Sequence, residues 1–340
     1  MKKESYPNHR IPNPYTLSKE QLADGERIEL PRNTVKDKTH LVFEASLEGL
    51  QAGAKLVVGH GYDQPNGGWI EITADTVSAY NYYSFKEPKR WPIAEKTQHG
   101  LDISGNITVV IDKDFSHGDY ALIITPSGSY RYRVDGISGY DGSPLAFAEG
   151  VSLSECSISW TSEAYSSPIW IYGDSYLSHL EDDRWPYYLY RDGFDKVLLS
   201  GYPGEGATRA LVDFKASLTR GTPEFALWLL GMNNGDGDSE TPNADWLSAT
   251  TEFIDLCKQN GITPILATIP QTPKINNMPK NAWIRASGHR YIDFNRAVGA
   301  DLNPHWYDGM LHTDDVHPLP LGAEALYARV LVDFPEIMRR

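Results

Sequence analysis

From about Ser166 onward the chain alternates short apolar runs with longer segments of helical period, and few architectures accept that pattern. Pro168–Tyr172, Val197–Ser200, Phe225–Leu230 and Pro264–Ile269 read as buried strands. Between and after them lie helical stretches at Leu177–Tyr190, Ala207–Leu218, Trp283–Val298 and Gly322–Val332. A further helix is marked by Trp246, Leu247, Thr250, Phe253, Ile254 and Cys257, which share one face. Thr241-Pro242 suits its N-cap and first turn, and Gly261 closes it. Strands that alternate with helices require crossover connections. The expected product is a parallel sheet covered by helices on both faces, a three-layer α/β/α domain over 166–340.

Residues 1–165 follow another rule. Residues 1–35 are polar and proline-marked, and read as an irregular arm. Strand candidates then follow at His40–Leu47, Lys55–Gly59, Trp69–Ala74, Ser78–Phe85, Ile107–Asp112, Ala121–Thr125, Tyr130–Val134 and Ser152–Trp160. Many alternate: Tyr130, Tyr132 and Val134 fall on one face, Arg131 and Arg133 on the other. Turn signals separate them, among them Asn66-Gly67-Gly68, Pro126-Ser127-Gly128 and Asp141-Gly142. Many short strands with few helical periods predict a β-sandwich. Tyr62, Trp69, Tyr80, Tyr82, Tyr83 and Trp91 invite a sugar-stacking reading, but a sandwich core also needs large side chains, and core is the expected fate of most.

Charge narrows the function. Residues 1–165 carry 16 basic and 22 acidic side chains and the remainder 15 and 23, so both halves are acidic within a net charge of −14. No basic tract tracks phosphates, so nucleic acid is not an expected partner, and anionic membrane surfaces are disfavoured for the same reason. No apolar run approaches the ~20 residues of a membrane helix. Met1-Lys2-Lys3-Glu4 is followed by no apolar stretch, so the sequence as written predicts a cytoplasmic protein, or an exported one if a leader has been trimmed. Cys156 and Cys257 build neither a disulfide framework nor a zinc site.

Four blocks in the second half carry the chemistry. Gly173-Asp174-Ser175 ends the first strand. Gly201-Tyr202-Pro203-Gly204-Glu205-Gly206 leaves the second strand and opens a helix. Gly231-Met232-Asn233-Asn234 leaves the third, and Asp314-Asp315-Val316-His317-Pro318 precedes the last helix. Such loops gather at the carboxyl edge of a parallel sheet. Ser175 alone could be part of an Asp-Ser helix cap, but together with a His, an Asp and an Asn at one edge it reads as a nucleophile. His317 can take and return its proton, and Asp314 can orient the imidazole. Asp315 reads as a solvated neighbour, although the two aspartates could exchange roles. His312, Asp314, Asp315 and His317 could instead ligate a metal, but that would leave the other three blocks unexplained. G-x-S-x-G is absent from the chain, which disfavours the α/β-hydrolase fold.

In these blocks the chain resembles the SGNH (GDSL) hydrolase family over roughly 166–340. The resemblance implies that Ser175 is the nucleophile and that Asp314 and His317 complete the triad. It implies Asn233 and a second-block glycine as oxyanion donors: Gly204 by spacing, with Gly201 and Gly206 as alternatives. Tyr176 stands where the family usually has leucine, and Asn234 where it usually has aspartate. The strand pattern of 1–165 resembles the concanavalin-like or jelly-roll sandwiches found beside carbohydrate-active enzymes. The whole implies a two-domain serine esterase that needs no metal or organic cofactor and removes a small acyl group, such as acetyl, from a carbohydrate ester. A lipase or lysophospholipase-type esterase, and a carbohydrate-binding protein with an inactive hydrolase domain, are the other readings.

Overall fold

The computed structural model describes all residues except 1–13, 33, 34, 36, 65, 66, 84–88, 115, 116, 135, 138–141, 179, 237, 238, 301–304 and 340. The chain divides into two compact units, Met1–Asn33 with Asp37–Glu163, and Thr34–Lys36 with Ala164–Arg340.

The first unit is built from twelve described strands: β1 (Tyr15–Leu22), β2 (Ile28–Glu29), β3 (Thr39–Leu47), β4 (Lys55–His60), β5 (Gly68–Ile72), β6 (Thr76–Tyr83), β7 (Lys89–Gln98), β8 (Gly105–Lys113), β9 (Tyr120–Thr125), β10 (Gly128–Arg133), β11 (Pro144–Glu149) and β12 (Leu153–Ser162). They form two six-stranded antiparallel sheets, ordered β1-β12-β3-β8-β9-β10 and β2-β11-β4-β5-β6-β7. Alternation decides which side chains are buried. Leu41, Phe43, Ala45 and Leu47 of β3 and Ile107, Val109 and Ile111 of β8 point inward. Tyr62, Trp69 and Phe147 form a buried cluster on which Tyr80 and Tyr82 pack. Trp91 is 54% exposed. The Tyr83 side chain and Phe85 lie outside the described residues, as do Asn66 and Asp141 of the expected turns.

Four strands of the first unit differ from expectation, the shortest being β2, two residues of the supposed arm that pair with β11. The arm also contains β1, which pairs with β12 from Leu22↔Leu153 to Tyr15↔Trp160. Only Leu22 of β1 is buried, so ladder hydrogen bonds rather than an apolar stripe hold it, and the sequence carries no alternation to read. β11 is buried along nearly its whole length and likewise shows no period of two. β7 is an edge strand that contains Pro92, and its pairing with β6 shifts register between Val77 and Tyr80.

The second unit carries a five-stranded parallel sheet of order β14-β13-β15-β16-β17, from β13 (Ile169–Gly173), β14 (Val197–Gly201), β15 (Phe225–Leu229), β16 (Thr263–Ala267) and β17 (Tyr291–Ile292). Every residue of β13, β14 and β15 is buried, which is the signature of a sheet covered on both faces. The helices are α1 (Trp185–Arg191), α2 (Ala207–Leu218), α3 (Ala244–Gln259), α4 (Met278–Ala286), α5 (Phe294–Ala297) and α6 (Pro320–Asp333). α2 packs with α3, and α6 packs with α1 and α5. Tyr172 of β13 meets Phe214 of α2 edge-on at 5.3 Å, and Trp228 of β15 stacks on Phe253 of α3 at 4.4 Å.

Local chemistry corrects three helix boundaries. Leu177–Tyr190 is not one helix: a single 3₁₀ turn spans Ser175–Leu177, and α1 starts at Trp185 because Pro186 is tolerated only in a first turn. Trp283–Val298 is divided among α4, β17 and α5, with Gly288 in the left-handed region (φ +74°) after α4. The cap of α3 is Asn243 rather than Thr241, with its side-chain oxygen accepting from Trp246 N at 3.1 Å.

Phe253 is fully buried between Trp228 and Phe214. Phe253→Ala should therefore destabilise the second unit by about 3–5 kcal/mol. A urea titration followed by tryptophan fluorescence checks this; a loss below about 1 kcal/mol would mean that the layer does not rest on this stack.

Candidate active site

Parallel pairing places the first three blocks side by side. Gly173 is in register with Gly201 on one neighbouring strand and with Leu229 on the other. The chain therefore leaves all three strands at the same edge, toward Ser175, Gly204 and Asn233.

Ser175 opens the 3₁₀ turn. Asp174 holds that turn by accepting from Tyr176 N at 3.1 Å, and Leu177 N donates to the Asp174 carbonyl at 3.0 Å. Close packing explains the glycine that ends β14. A Cβ on Gly201 would lie 2.5 Å from the Leu177 Cβ and 3.1 Å from the Asp174 carbonyl. Ser175 is 8% exposed.

The fourth block arrives from a loop before α6. His317 Nε2 lies 2.9 Å from Ser175 Oγ, and His317 Nδ1 lies 2.6 Å from Asp314 Oδ2. The other Asp314 oxygen accepts from Val316 N and His317 N, both at 2.9 Å. Burial raises the Asp314 pKa, but the bonds from His317 and the Val316 and His317 amides outweigh it and hold the carboxyl well below its ordinary range. An ionised carboxylate can only accept. The imidazole proton therefore sits on Nδ1, and Nε2 accepts from the serine hydroxyl. Asp315 takes the other branch: with φ +58° it turns the loop, and its carboxylate stands 3.8 Å from Lys274 Nζ.

The second and third blocks are stitched together. Asn233 Nδ2 donates to the Glu205 carbonyl at 3.0 Å, and Asn234 Oδ1 accepts from Ala207 N at 2.9 Å. One amide proton of Asn233 is used this way, and its exposed side chain keeps a second. Gly204 takes φ +78° within a turn closed by Glu205 N on the Tyr202 carbonyl at 2.9 Å. Gly206 is the N-cap of α2. Neither Ser175 N nor Gly204 N donates to a protein acceptor among the described residues. His179, which the sequence suggests is a rim histidine rather than a second base, lies outside the described residues.

Several supporting groups carry no motif in the sequence. Arg184 is buried and its Nε donates to the Ser175 carbonyl at 2.7 Å. Lys274 Nζ donates to the Asp314 carbonyl at 2.8 Å, and the Tyr176 hydroxyl donates to the Val316 carbonyl at 2.7 Å. Beneath the third block, Lys280 is fully buried and bonds Asp236 at 2.8 Å and the Asn234 carbonyl at 2.7 Å. Only Tyr176 could have been flagged in advance, as the residue that replaces the leucine expected there. Lys274 and Lys280 bond residues 40 and 46 positions away, and Arg184 reaches back nine residues to Ser175 with no recognisable spacing.

No protein-family model and no curated protein matches the chain. Solved structures do. The chain is similar to a putative lipolytic protein of the G-D-S-L family from Desulfitobacterium hafniense, at 20% identity over 48% of this chain and 98% of that one, with a TM-score of 0.40. It is similar to a GDSL-like lipase from Bacteroides thetaiotaomicron, at 16% identity over 50% and 88%, with a TM-score of 0.40. A variant of Axe2, an acetyl-xylooligosaccharide esterase from Geobacillus, aligns at 15% identity over 52% and 95%, with a TM-score of 0.39.

Asp174 sets a pH dependence of unusual sign. Burial raises its carboxyl to about 7, against weaker opposition from the Tyr176 amide and the Arg184 charge. A carboxyl whose folded pKa exceeds its unfolded value stabilises the fold at low pH, and that stability is lost as pH rises from about 4 through 7. Asp174→Asn keeps an oxygen for Tyr176 N and has no proton to lose. It should gain on the wild type progressively across that range, by up to about 4 kcal/mol at pH 8. Unfolding midpoints of both proteins at pH 4, 6 and 8 check this; a constant difference would show that Asp174 does not titrate in that window.

Proposed function

We propose that the second unit is a serine esterase of SGNH type, with Ser175 as nucleophile, His317 as general acid and base, and Asp314 as the orienting carboxylate. One observation carries this: the unbroken chain from the Asp314 carboxylate through both imidazole nitrogens to Ser175 Oγ, in the tautomer that leaves Nε2 free to accept.

The chemistry follows from that polarity. Ser175 Oγ attacks the ester carbonyl carbon while its proton passes to His317 Nε2. Positive charge develops on the ring beside the Asp314 carboxylate, which stabilises it. The carbonyl oxygen becomes an oxyanion and needs donors. Ser175 N, Gly204 N and the second Asn233 amide proton are the candidates, each worth on the order of 3 kcal/mol in the transition state. Collapse expels the alcohol, which takes its proton from His317. Water then attacks the acyl-enzyme with His317 again as base, and releases Ser175.

The reading extends to a small acyl group, acetyl first, on a carbohydrate alcohol. Two features support it. Each of the six described helices of this unit buries residues, and none stands apart as an apolar lid for a long chain. The first unit has the sheet-rich pattern of modules that accompany carbohydrate-active enzymes. p-Nitrophenyl esters of graded chain length test the choice. Turnover of acetate alone supports it, preference for long chains transfers the reading to a lipase-like esterase, and no turnover at all supports an inactive hydrolase domain.

Kinetics should separate the roles. Ser175→Ala and His317→Ala should each lower kcat by roughly 10⁶-fold, and the double mutant should be scarcely worse, because the two act as one unit. Asn233→Ala should lose about 10²–10³-fold in kcat with little change in KM. Additive losses in the Ser175/His317 pair would contradict the assignment.

A further inference from the structure

Tyr176 follows Ser175 in the chain, yet its hydroxyl reaches the opposite wall of the site. The phenol donates to the Val316 carbonyl at 2.7 Å, one residue before His317, and its ring lies 6.2 Å from the imidazole. The ring is buried, and that burial holds the phenol pKa well above its ordinary value, so the hydroxyl remains a donor. A leucine here could fill the space but could not make this bond.

The loop that Tyr176 holds turns at Asp315, which adopts a left-handed backbone conformation (φ +58°) that Asp accepts more readily than most residues. Within the loop, Asp314 bonds the amides of Val316 and His317, so carboxylate and backbone move as one piece. His312 holds that piece from the preceding turn, with its Nδ1 accepting from Asp314 N at 3.2 Å and its amide donating to the His317 carbonyl at 2.9 Å. Tyr176 and Lys274 hold it from other elements, each through a carbonyl, Val316 and Asp314. The Lys274 side chain is more than half exposed, so water competes for its bond. Tyr176 is buried, has few torsions, and is rooted in the turn that carries Ser175, with its own amide fixed to Asp174.

We propose that Tyr176 is a positioning residue that ties the His317 loop to the nucleophile's own turn and so sets the Ser175–His317 distance. This rests on the esterase reading above. Because Tyr176 acts through Asp314 and His317, removing its hydroxyl should loosen the pair without removing any reacting group.

Tyr176→Phe keeps the ring and deletes only the donor. On p-nitrophenyl acetate its kcat should fall roughly 10-fold, with KM unchanged within about twofold, because loosened reacting geometry costs rate rather than binding. In an Asp314→Asn background the same change should cost little more, since both act through His317. A fluorophosphonate probe reads serine nucleophilicity without reference to the natural ester. Wild type should be labelled, Ser175→Ala should not, and Tyr176→Phe should be labelled roughly 10-fold more slowly than wild type. Labelling of Tyr176→Phe at the wild-type rate, or a full additional loss in the Asp314→Asn background, would overturn the positioning role and leave Ser175 as nucleophile. An unlabelled wild type, or a labelled Ser175→Ala, would overturn the esterase reading and this role with it.

Discussion

β13 lies between β14 and β15, and the rest of the candidate site follows from that pairing. Parallel register puts Gly173, Gly201 and Leu229 at one level, so three loops leave the sheet together. A glycine at the end of β14 lets the Ser175 turn pack against it, where any side chain would meet Leu177. Helices on both faces keep the strands dry, and a dry sheet gives the loops a rigid base. Two groups come from elsewhere, the proposed base His317 and its carboxylate partner Asp314. They arrive on the segment before α6, through a loop bent at Asp315.

Buried charge concentrates around this edge. The Lys280–Asp236 pair is fully enclosed, and burial pushes the Lys280 amine down while Asp236 opposes it. Arg184 spends its Nε on the Ser175 carbonyl, and Asp174 sits desolvated beside it. Buried ion pairs seldom add net stability relative to well-packed apolar groups, because desolvation offsets their attraction. Their shared feature here is what they bond: Lys280 and Arg184 each hold a backbone carbonyl of a block that carries a proposed functional group. The same device fixes the fourth block, where Tyr176 and Lys274 hold two more carbonyls. Four loop carbonyls are thus held by side chains, which leaves the Ser175 hydroxyl, His317 Nε2 and the second Asn233 amide proton for the roles proposed above.

Where a pattern is periodic or chemically particular, the sequence was readable. β13, β14 and β15 are continuous apolar runs, and the Gly-Asp-Ser and Gly-Met-Asn-Asn blocks follow strands while Asp-Asp-Val-His precedes α6, as expected. β1 was unreadable because its burial is confined to Leu22, and β11 because it is buried on both faces. The helix expected after Ser175 failed because apolar content in Leu177–Tyr190 resembles a helical stripe, while Pro186 in fact fixes the start of α1. Spacing favoured Asp314 over Asp315 but left an exchange of roles open; a left-handed turn at Asp315 separates them, with Asp314 on the imidazole and Asp315 toward Lys274. Arg184, Lys274 and Lys280 left no trace, because a cation that bonds a distant carbonyl has no local signature.

The proposed esterase forms a covalent acyl-enzyme at Ser175, and that adduct can be trapped. Mixing the protein with excess p-nitrophenyl acetate and quenching in acid within milliseconds should trap the acyl-enzyme, since acid protonates the base that deacylation needs. Peptide mapping by mass spectrometry should then find one acetyl group, on the peptide containing Ser175 and on that serine. Acetyl on another residue, or turnover with no trapped adduct at any quench time together with isotope exchange showing direct attack of water, would contradict it.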